Sequence, residues 1–302
     1  MILRLTTLPI TEDYAAMLTP IAEGASPSAP PSVGPGATAR LTDLYLDLIK
    51  KCLTHSLWFE QEEEVLGSKR GLLPKLFGGS DDPEKREKLL QDKLNGRVWP
   101  QFAHTMIGFP RLNNLEFCVR SVLDDNIPGD FIETGVWRGG ACIFMRAILK
   151  AYGVTGRRVW VADSFEGLPR PDPKKSPVDK GNKLYTFKEL AISIETVQGN
   201  FRAYGLLDDQ VKFLKGWFKD TLPTAPIEKL AVARLDGDMY ESTMDAFVNL
   251  YSKLSVGGYL IVDDYGAVRR CREAVHDFRE KNGIREEMVK VDHSGIFWRK
   301  ER

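Results

Sequence analysis

The apolar positions of this 302-residue chain follow two rhythms. Ahead of about residue 110 the spacing is helical. Leu41, Leu44, Tyr45, Leu48, Ile49 and Leu53 recur at three- and four-residue intervals, which predicts a helix with one apolar face. From Arg111 the helical segment RLNNLEFCVRSVLDD leads into short apolar runs that alternate with longer segments of helical period. The runs are GDFIETG, RRVWVAD, VKFLKG, IEKLAVARLDG and VGGYLIVDD. The helical segments are GGACIFMRAILKAYG, KELAISIETVQGNFRAYG, STMDAFVNLYSKL and AVRRCREAVHDFREKNG. Such alternation predicts an α/β fold with a mostly parallel sheet and helices on both faces. REEMVKVD and GIFWRK, joined by His293-Ser294-Gly295, predict a closing hairpin that adds an antiparallel edge.

Two stretches break the rhythm. Residues 22–38, rich in Pro, Gly, Ala and Ser, hold too little apolar area to offset ordering entropy and read as a flexible linker. Residues 60–98 are charged and broken by Gly-Gly, Asp-Asp-Pro and Asn-Gly steps, with a short helix predicted from Pro83 to Leu94. The expected organisation is a flexible extension, 1–38, and a single domain, 39–302. Within that domain 39–110 would form a helical lid region and 111–302 the sheet core.

Composition narrows the function classes. Lys plus Arg and Asp plus Glu each number 42, so no bulk charge draws the chain to nucleic acid or an anionic membrane. Cys52, Cys118, Cys142 and Cys271 are widely spaced, without a CxxC pair. They read as reduced thiols of a cytoplasmic protein, not as a zinc site or disulfide framework. The apolar runs fall well short of the roughly 18–20 residues of a membrane span, and the first residues lack the pattern of a secretory signal.

The chemistry gathers at the ends of the apolar runs. FIETGVWRGGACIF joins a strand to a helix with Glu133, Gly135 and Gly139 in the order E-x-G-x-x-x-G. Glycine there lets backbone approach a ligand, and the helix N-terminus offers free N–H groups. An acid in this turn suits a cationic ligand better than a phosphate, and S-adenosylmethionine carries both an ammonium and a sulfonium. Asp163 ends the next run, thirty residues on, where nucleotide-binding folds place an acid on ribose hydroxyls. Asp236 and Asp238 end one later run, and Asp263 and Asp264 end the next. If those strands are neighbours, four carboxylates meet at the sheet edge, and a divalent cation with all-oxygen ligands relieves their repulsion. The plainer reading of each pair is local. Asp238-Met-Tyr-Glu241 fits a capping box, and Asp264 fits an Asx turn. His104, His276 and His293 read first as structural or surface histidines, with His104 the one to test. Phe165, Trp137 and Trp217 are core or pocket aromatics.

HTMIG, FIETGVWRGG, VADSFEGLP, NFRAYGLLDDQVKFLKGWFKDTLP, LDGDMYES and GGYLIVDDYG occur in this order, and the stretch from about residue 40 to 302 resembles the macrocin O-methyltransferase family. The resemblance implies a Rossmann-like class I methyltransferase with a seven-stranded sheet. It implies S-adenosylmethionine and Mg2+ as cofactors, and a hydroxyl of a glycosylated small molecule as acceptor. By motif, Asp236, Asp263 and Asp264 would bind the metal and Asp238 would be the catalytic base. Glu133 and Gly135 would lie at the methionine end of the cofactor, and Asp163 and Ser164 at its ribose. Thr105 and Met106 would close over it, with Trp217 near the adenine. A catechol-type methyltransferase shares this metal logic. A metal-dependent glycosyltransferase shares the Asp-Gly-Asp pattern, although the early glycine turn argues against it. A binding module without activity fits the intact carboxylates least. No nucleic acid or membrane partner is expected, and homo-oligomerisation is left open.

Overall fold

The computed structural model describes residues 35–60 and 83–302. Most of the expected linker and the first part of the punctuated stretch lie outside the described residues. The chain divides into a short unit, Met1–Arg40, and a second unit, Leu41–Arg302. The elements run α1 Pro35–Leu53, α2 Pro83–Leu94, α3 Phe109–Asp124, β1 Asp130–Thr134, α4 Gly140–Ala151 and β2 Val159–Asp163. They continue α5 Ile194–Ala203, β3 Val211–Lys215, α6 Phe218–Thr221, β4 Leu230–Leu235, α7 Tyr240–Leu250, β5 Leu254–Val262, α8 Arg269–Lys281, β6 Val289–Lys290 and β7 Ile296–Arg299.

The strands form one sheet in the order β3-β2-β1-β4-β5-β7-β6. β1 to β5 pair in parallel, and β7 joins β5 antiparallel with β6 outside it. The order reverses between β1 and β4. In an open parallel sheet that reversal leaves a crevice beyond the carboxyl ends of the strands. β4 and β5 are direct neighbours, with Leu235 opposite Val262, so the two aspartate pairs that follow them emerge side by side.

Strand alternation divides the core into two layers. Phe131, Val159, Val161, Val232 and Ile261 face α3, α4 and α5. Ile132, Trp160, Ala233, Leu260 and Val262 face α7 and α8. The central strands are largely apolar on both faces because helices cover both, which is why their runs read as continuous rather than alternating.

Three local differences have clear causes. α1 begins at Pro35, inside the stretch expected to be linker, because proline suits the first turn of a helix. Its buried positions are Leu46, Ile49 and Leu53, whereas Leu41, Leu44 and Leu48 stay half exposed, so the apolar stripe is broader than the face the core takes. The helix expected from Lys188 starts only at Ile194. Ser193 caps it by accepting the Thr196 amide at 3.2 Å, and Lys188–Leu190 makes a separate 3-10 turn.

Phe247 is fully buried and stacks on Phe278 at 4.6 Å and on Trp298 at 6.2 Å. Phe247→Ala removes the centre of this stack, and we expect urea unfolding to report a loss of about 3–5 kcal/mol.

Candidate active site

The crevice is set by how closely β1 and β4 approach at their ends. Gly135 follows β1 with φ +85°, and a Cβ there would lie 1.7 Å from the Asp236 carbonyl oxygen. Strand-to-strand packing therefore requires glycine here. The Asp236 amide in turn donates to the Thr134 carbonyl at 2.9 Å. Asp163, at the end of β2, holds the same turn from the other side. Its Oδ2 accepts the Val136 amide and its Oδ1 the Phe165 amide, each at 2.8 Å. Ser164 closes its own loop by donating to the Gly167 carbonyl at 2.7 Å.

A buried arginine ties the strand ends together. Arg234 on β4 is 2% exposed and donates to Glu133, to Asp263 and, at 2.9 Å, to Asp236 Oδ2. Arg111 on α3 donates to the second Asp263 oxygen and places Nε 3.0 Å from Asp292 Oδ2. Glu133 also accepts from the Cys142 thiol at 3.0 Å. The acid expected to meet a cationic ligand already has an internal counter-charge.

Of the expected metal trio, Asp236, Asp263 and Asp264, Asp263 has both oxygens paired with guanidiniums. The carboxylates that converge are Asp236, Asp238 and Asp264, which offer oxygens within 4.8 Å of one another. The expected capping box is also absent. The helix after Asp238 starts at Tyr240, and its first amides are taken by Asp179. Asp238 instead adopts φ +55° and donates its amide to Asp264 Oδ2 at 3.0 Å, in place of the expected Asx turn.

The site carries surplus negative charge. Among the described residues, Arg111 and Arg234 are the only arginines or lysines that pair with the group Glu133, Asp236, Asp238, Asp263, Asp264 and Asp292. Burial, together with Asp263, pushes Asp236 up to about 6. Burial, then Asp236 and Asp263, push Asp238 up to about 7. Burial and Asp238 hold Asp264 well above the carboxylate range. Glu133 rises to about 7 because burial outweighs Arg234. Burial would raise Asp263 too, but Arg111 and Arg234 hold it below its ordinary value. Converging oxygens of this kind could hold a hard divalent cation.

A cavity of about 530 Å3 opens over these groups. Thr105, Met106, Glu133, Gly135, Asp163, Ser164, Trp217 and the four aspartates all line it. His293 lines it as well. His104 does not, and its Nδ1 lies 2.9 Å from the Tyr204 hydroxyl in a structural contact. His276 pairs at the surface with Tyr265. Sequence reasoning assigned no part to Arg111, Arg234 or Asp179. Arg234 was the legible one of the three, a charge inside an apolar strand run.

The sequence model of the Macrocin-O-methyltransferase (TylF) family matches residues 42–300. This chain belongs to that family. It is 51% identical over 258 residues to the 8-demethyl-8-(2,3-dimethoxy-alpha-L-rhamnosyl)-tetracenomycin-C 4'-O-methyltransferase of Streptomyces olivaceus, covering 85% of this chain and 92% of that one. It is 49% identical over 261 residues to the Mycinamicin III 3''-O-methyltransferase of Micromonospora griseorubida, covering 85% and 96%. Among solved structures, the O-methyltransferase NovP shares the fold with a TM-score of 0.75 at 46% identity, over 86% of this chain and 100% of that one. The chain is an enzyme of the O-methyltransferase class, built on the family's mostly parallel sheet with antiparallel C-terminal strands.

The raised carboxylates fix how stability of the metal-free family member varies with pH. Folded values of about 7 for Glu133 and Asp238 and about 6 for Asp236 exceed the ordinary 4.5 and 3.8. Their contribution is full below the ordinary values and is lost as pH rises through about 6 to 7. In chelator, the melting temperature should fall between about pH 5 and pH 8. A flat or rising profile would contradict the charge surplus.

Proposed function

We propose that this enzyme transfers the methyl group of S-adenosylmethionine to a sugar hydroxyl of a glycosylated secondary metabolite, with Mg2+ at the aspartates that follow β4 and β5. The observation that carries the reading is the convergence of those carboxylates in the same cavity as the glycine turn after β1. The activities of the relatives support the acceptor class. One methylates a rhamnosyl-tetracenomycin, another mycinamicin III, and a third, 48% identical and from Streptomyces niveus, is a demethyldecarbamoylnovobiocin O-methyltransferase.

The cofactor would lie along the β1 and β2 ends. Gly135 and the N-terminus of α4 form the methionine end, with Glu133 supplying negative charge behind the turn. Asp163 and Ser164 shape the ribose side, Thr105 and Met106 the cover, and Trp217 the adenine wall. Asp236 and Asp264 would hold the cation. When bound, it supplies a Lewis acid that lowers the pKa of a hydroxyl and fixes its direction. Asp238, with a carboxyl pushed up to about 7, is matched to taking a proton near neutral pH. Holding the oxygen and the methyl in line supplies much of the remaining rate. The family relationship sets the glycosyltransferase reading aside. A screen of sugar diols against catechols tests the catechol reading. No described helix is long and apolar enough to cross a membrane, and we propose action in the cytoplasm on a small-molecule acceptor.

A second assignment of the third ligand has its own support. The resemblance favours Asp263, with Asp238 free as base. The convergence favours Asp238, since Asp263 is held by two arginines. Asp238→Asn separates them. As base, its loss should lower kcat by about 100-fold or more while Mn2+ binding by electron paramagnetic resonance and S-adenosylmethionine binding by calorimetry persist. Lost Mn2+ binding makes Asp238 a ligand, and unaltered turnover removes it as base.

A further inference from the structure

Asp179 lies in the long connection between β2 and α5, on the 3-10 turn Pro177–Asp179, and has no exposed surface. Its Oδ1 accepts the Tyr240 amide at 2.9 Å and its Oδ2 the Glu241 amide at 3.0 Å. These are the first two N–H groups of α7, whose N-cap residue, Met239, offers no side-chain cap. Arg270 on α8 brackets the same turn. It donates to the Val178 carbonyl at 2.9 Å and to the Lys180 carbonyl at 3.2 Å, with Nε 3.9 Å from Asp179 Oδ1. Lys175 meets Glu241 at 2.9 Å, but that pair is too exposed to add much.

Both elements joined by this contact contribute residues to the cavity lining. Leu168, Arg170, Asp172, Lys175 and Leu184, from the connection, line one wall. α7 follows directly on the turn of Gly237, Asp238 and Met239. The sheet fixes the start of that turn, where the Asp236 amide meets the Thr134 carbonyl. Asp179 fixes its end. A non-glycine residue at φ +55° persists only where its surroundings over-determine it, and Asp238 is such a residue. A helix is usually capped by its own preceding Ser, Thr, Asp or Asn. Here the cap comes from 61 residues away, from a connection whose other residues line the cavity.

We infer that Asp179 is a positioning residue. By clamping the first amides of α7 it aims the turn that carries Asp238, and it makes docking of the β2–α5 connection and orientation of that turn a single equilibrium. Its catalytic consequence rests on the reading of Asp238 as base.

Asp179→Asn keeps the size but sets an amide N–H2 against a backbone N–H. Arg270→Ala is the gentler variant, because it loosens the bracket without disturbing the buried acid. Hydrogen exchange on the full-length protein reads the clamp without substrate. In both variants, amides of residues 170–187 and 237–243 should lose protection together, while those of β1 and α4 keep theirs. In turnover, kcat should fall about tenfold or more in Asp179→Asn, with affinity for S-adenosylmethionine unchanged within about twofold. Loosening of only one segment overturns the clamp, as does a fall in kcat matched by an equal loss of cofactor affinity. If Asp179→Asn does not fold, the exchange pattern of Arg270→Ala decides. Joint loosening in a protein whose parent methylates no sugar would overturn the proposed function and leave the clamp standing.

Discussion

The guanidinium of Arg234 is the constraint on which the crevice depends. It sits 2% exposed on a strand whose other residues are apolar, and a cation there is tolerable only with its partners in place. Those partners come from the ends of three adjacent strands, Glu133 from β1, Asp236 after β4 and Asp263 after β5. The relative height of the strands at the carboxyl edge is therefore fixed by charge as well as by the ladder. Removing one partner would leave an uncompensated buried charge, a change that typically costs about 3–5 kcal/mol. Arg111 extends the network outward by joining α3 to Asp263 and to the hairpin turn at Asp292. Ser294 in that turn reaches the Asp263 carbonyl at 2.6 Å, so the C-terminal hairpin is part of the frame around the site.

The same network divides the carboxylates into two kinds. Asp263 is compensated and stays ionised. Asp236, Asp238 and Asp264 lie at the open end with too little positive charge among them, and their proton affinities rise. The arginines hold the frame, and the trio, in which Asp236 alone pairs with an arginine among the described residues, keeps a raised proton affinity. If both kinds were fully neutralised by protein cations, the edge would be stable and without an electrostatic use.

How much of this was legible depends on the range of each interaction. The strand–helix alternation was readable because strands covered on both faces are apolar throughout. The meeting of the aspartate pairs was readable because parallel strands that follow one another with a helix between often pair, as β4 and β5 do. Asp179 was not readable, since nothing local links it to an amide 61 residues away. Gly135 was marked as a close-approach glycine and it does line the cavity; its packing against the Asp236 carbonyl, which follows β4, could not be read locally. The pairing of Asp263 was not readable, because the arginines that hold it come from α3 and from within β4.

Backbone strain gathers at the same edge. Trp137, Phe165 and Asp238 all take positive φ without being glycine, and each lies in the turn after a strand, β1, β2 and β4 respectively. Such conformations cost about 1–3 kcal/mol each and need support from outside the turn. Each has it. Trp137 donates its indole N–H to the Glu189 carbonyl at 2.9 Å and lies under the Arg138 guanidinium. The Phe165 amide is held by Asp163, and the Asp238 amide by Asp264. Two of the three supports are carboxylates that also line the cavity. Groups lining the cavity thus hold the backbone that shapes it, and strain, charge and cavity form one arrangement. Methyl transfer depends on aligning two atoms rather than on elaborate proton traffic, so a pre-set frame of this kind is what the reaction needs.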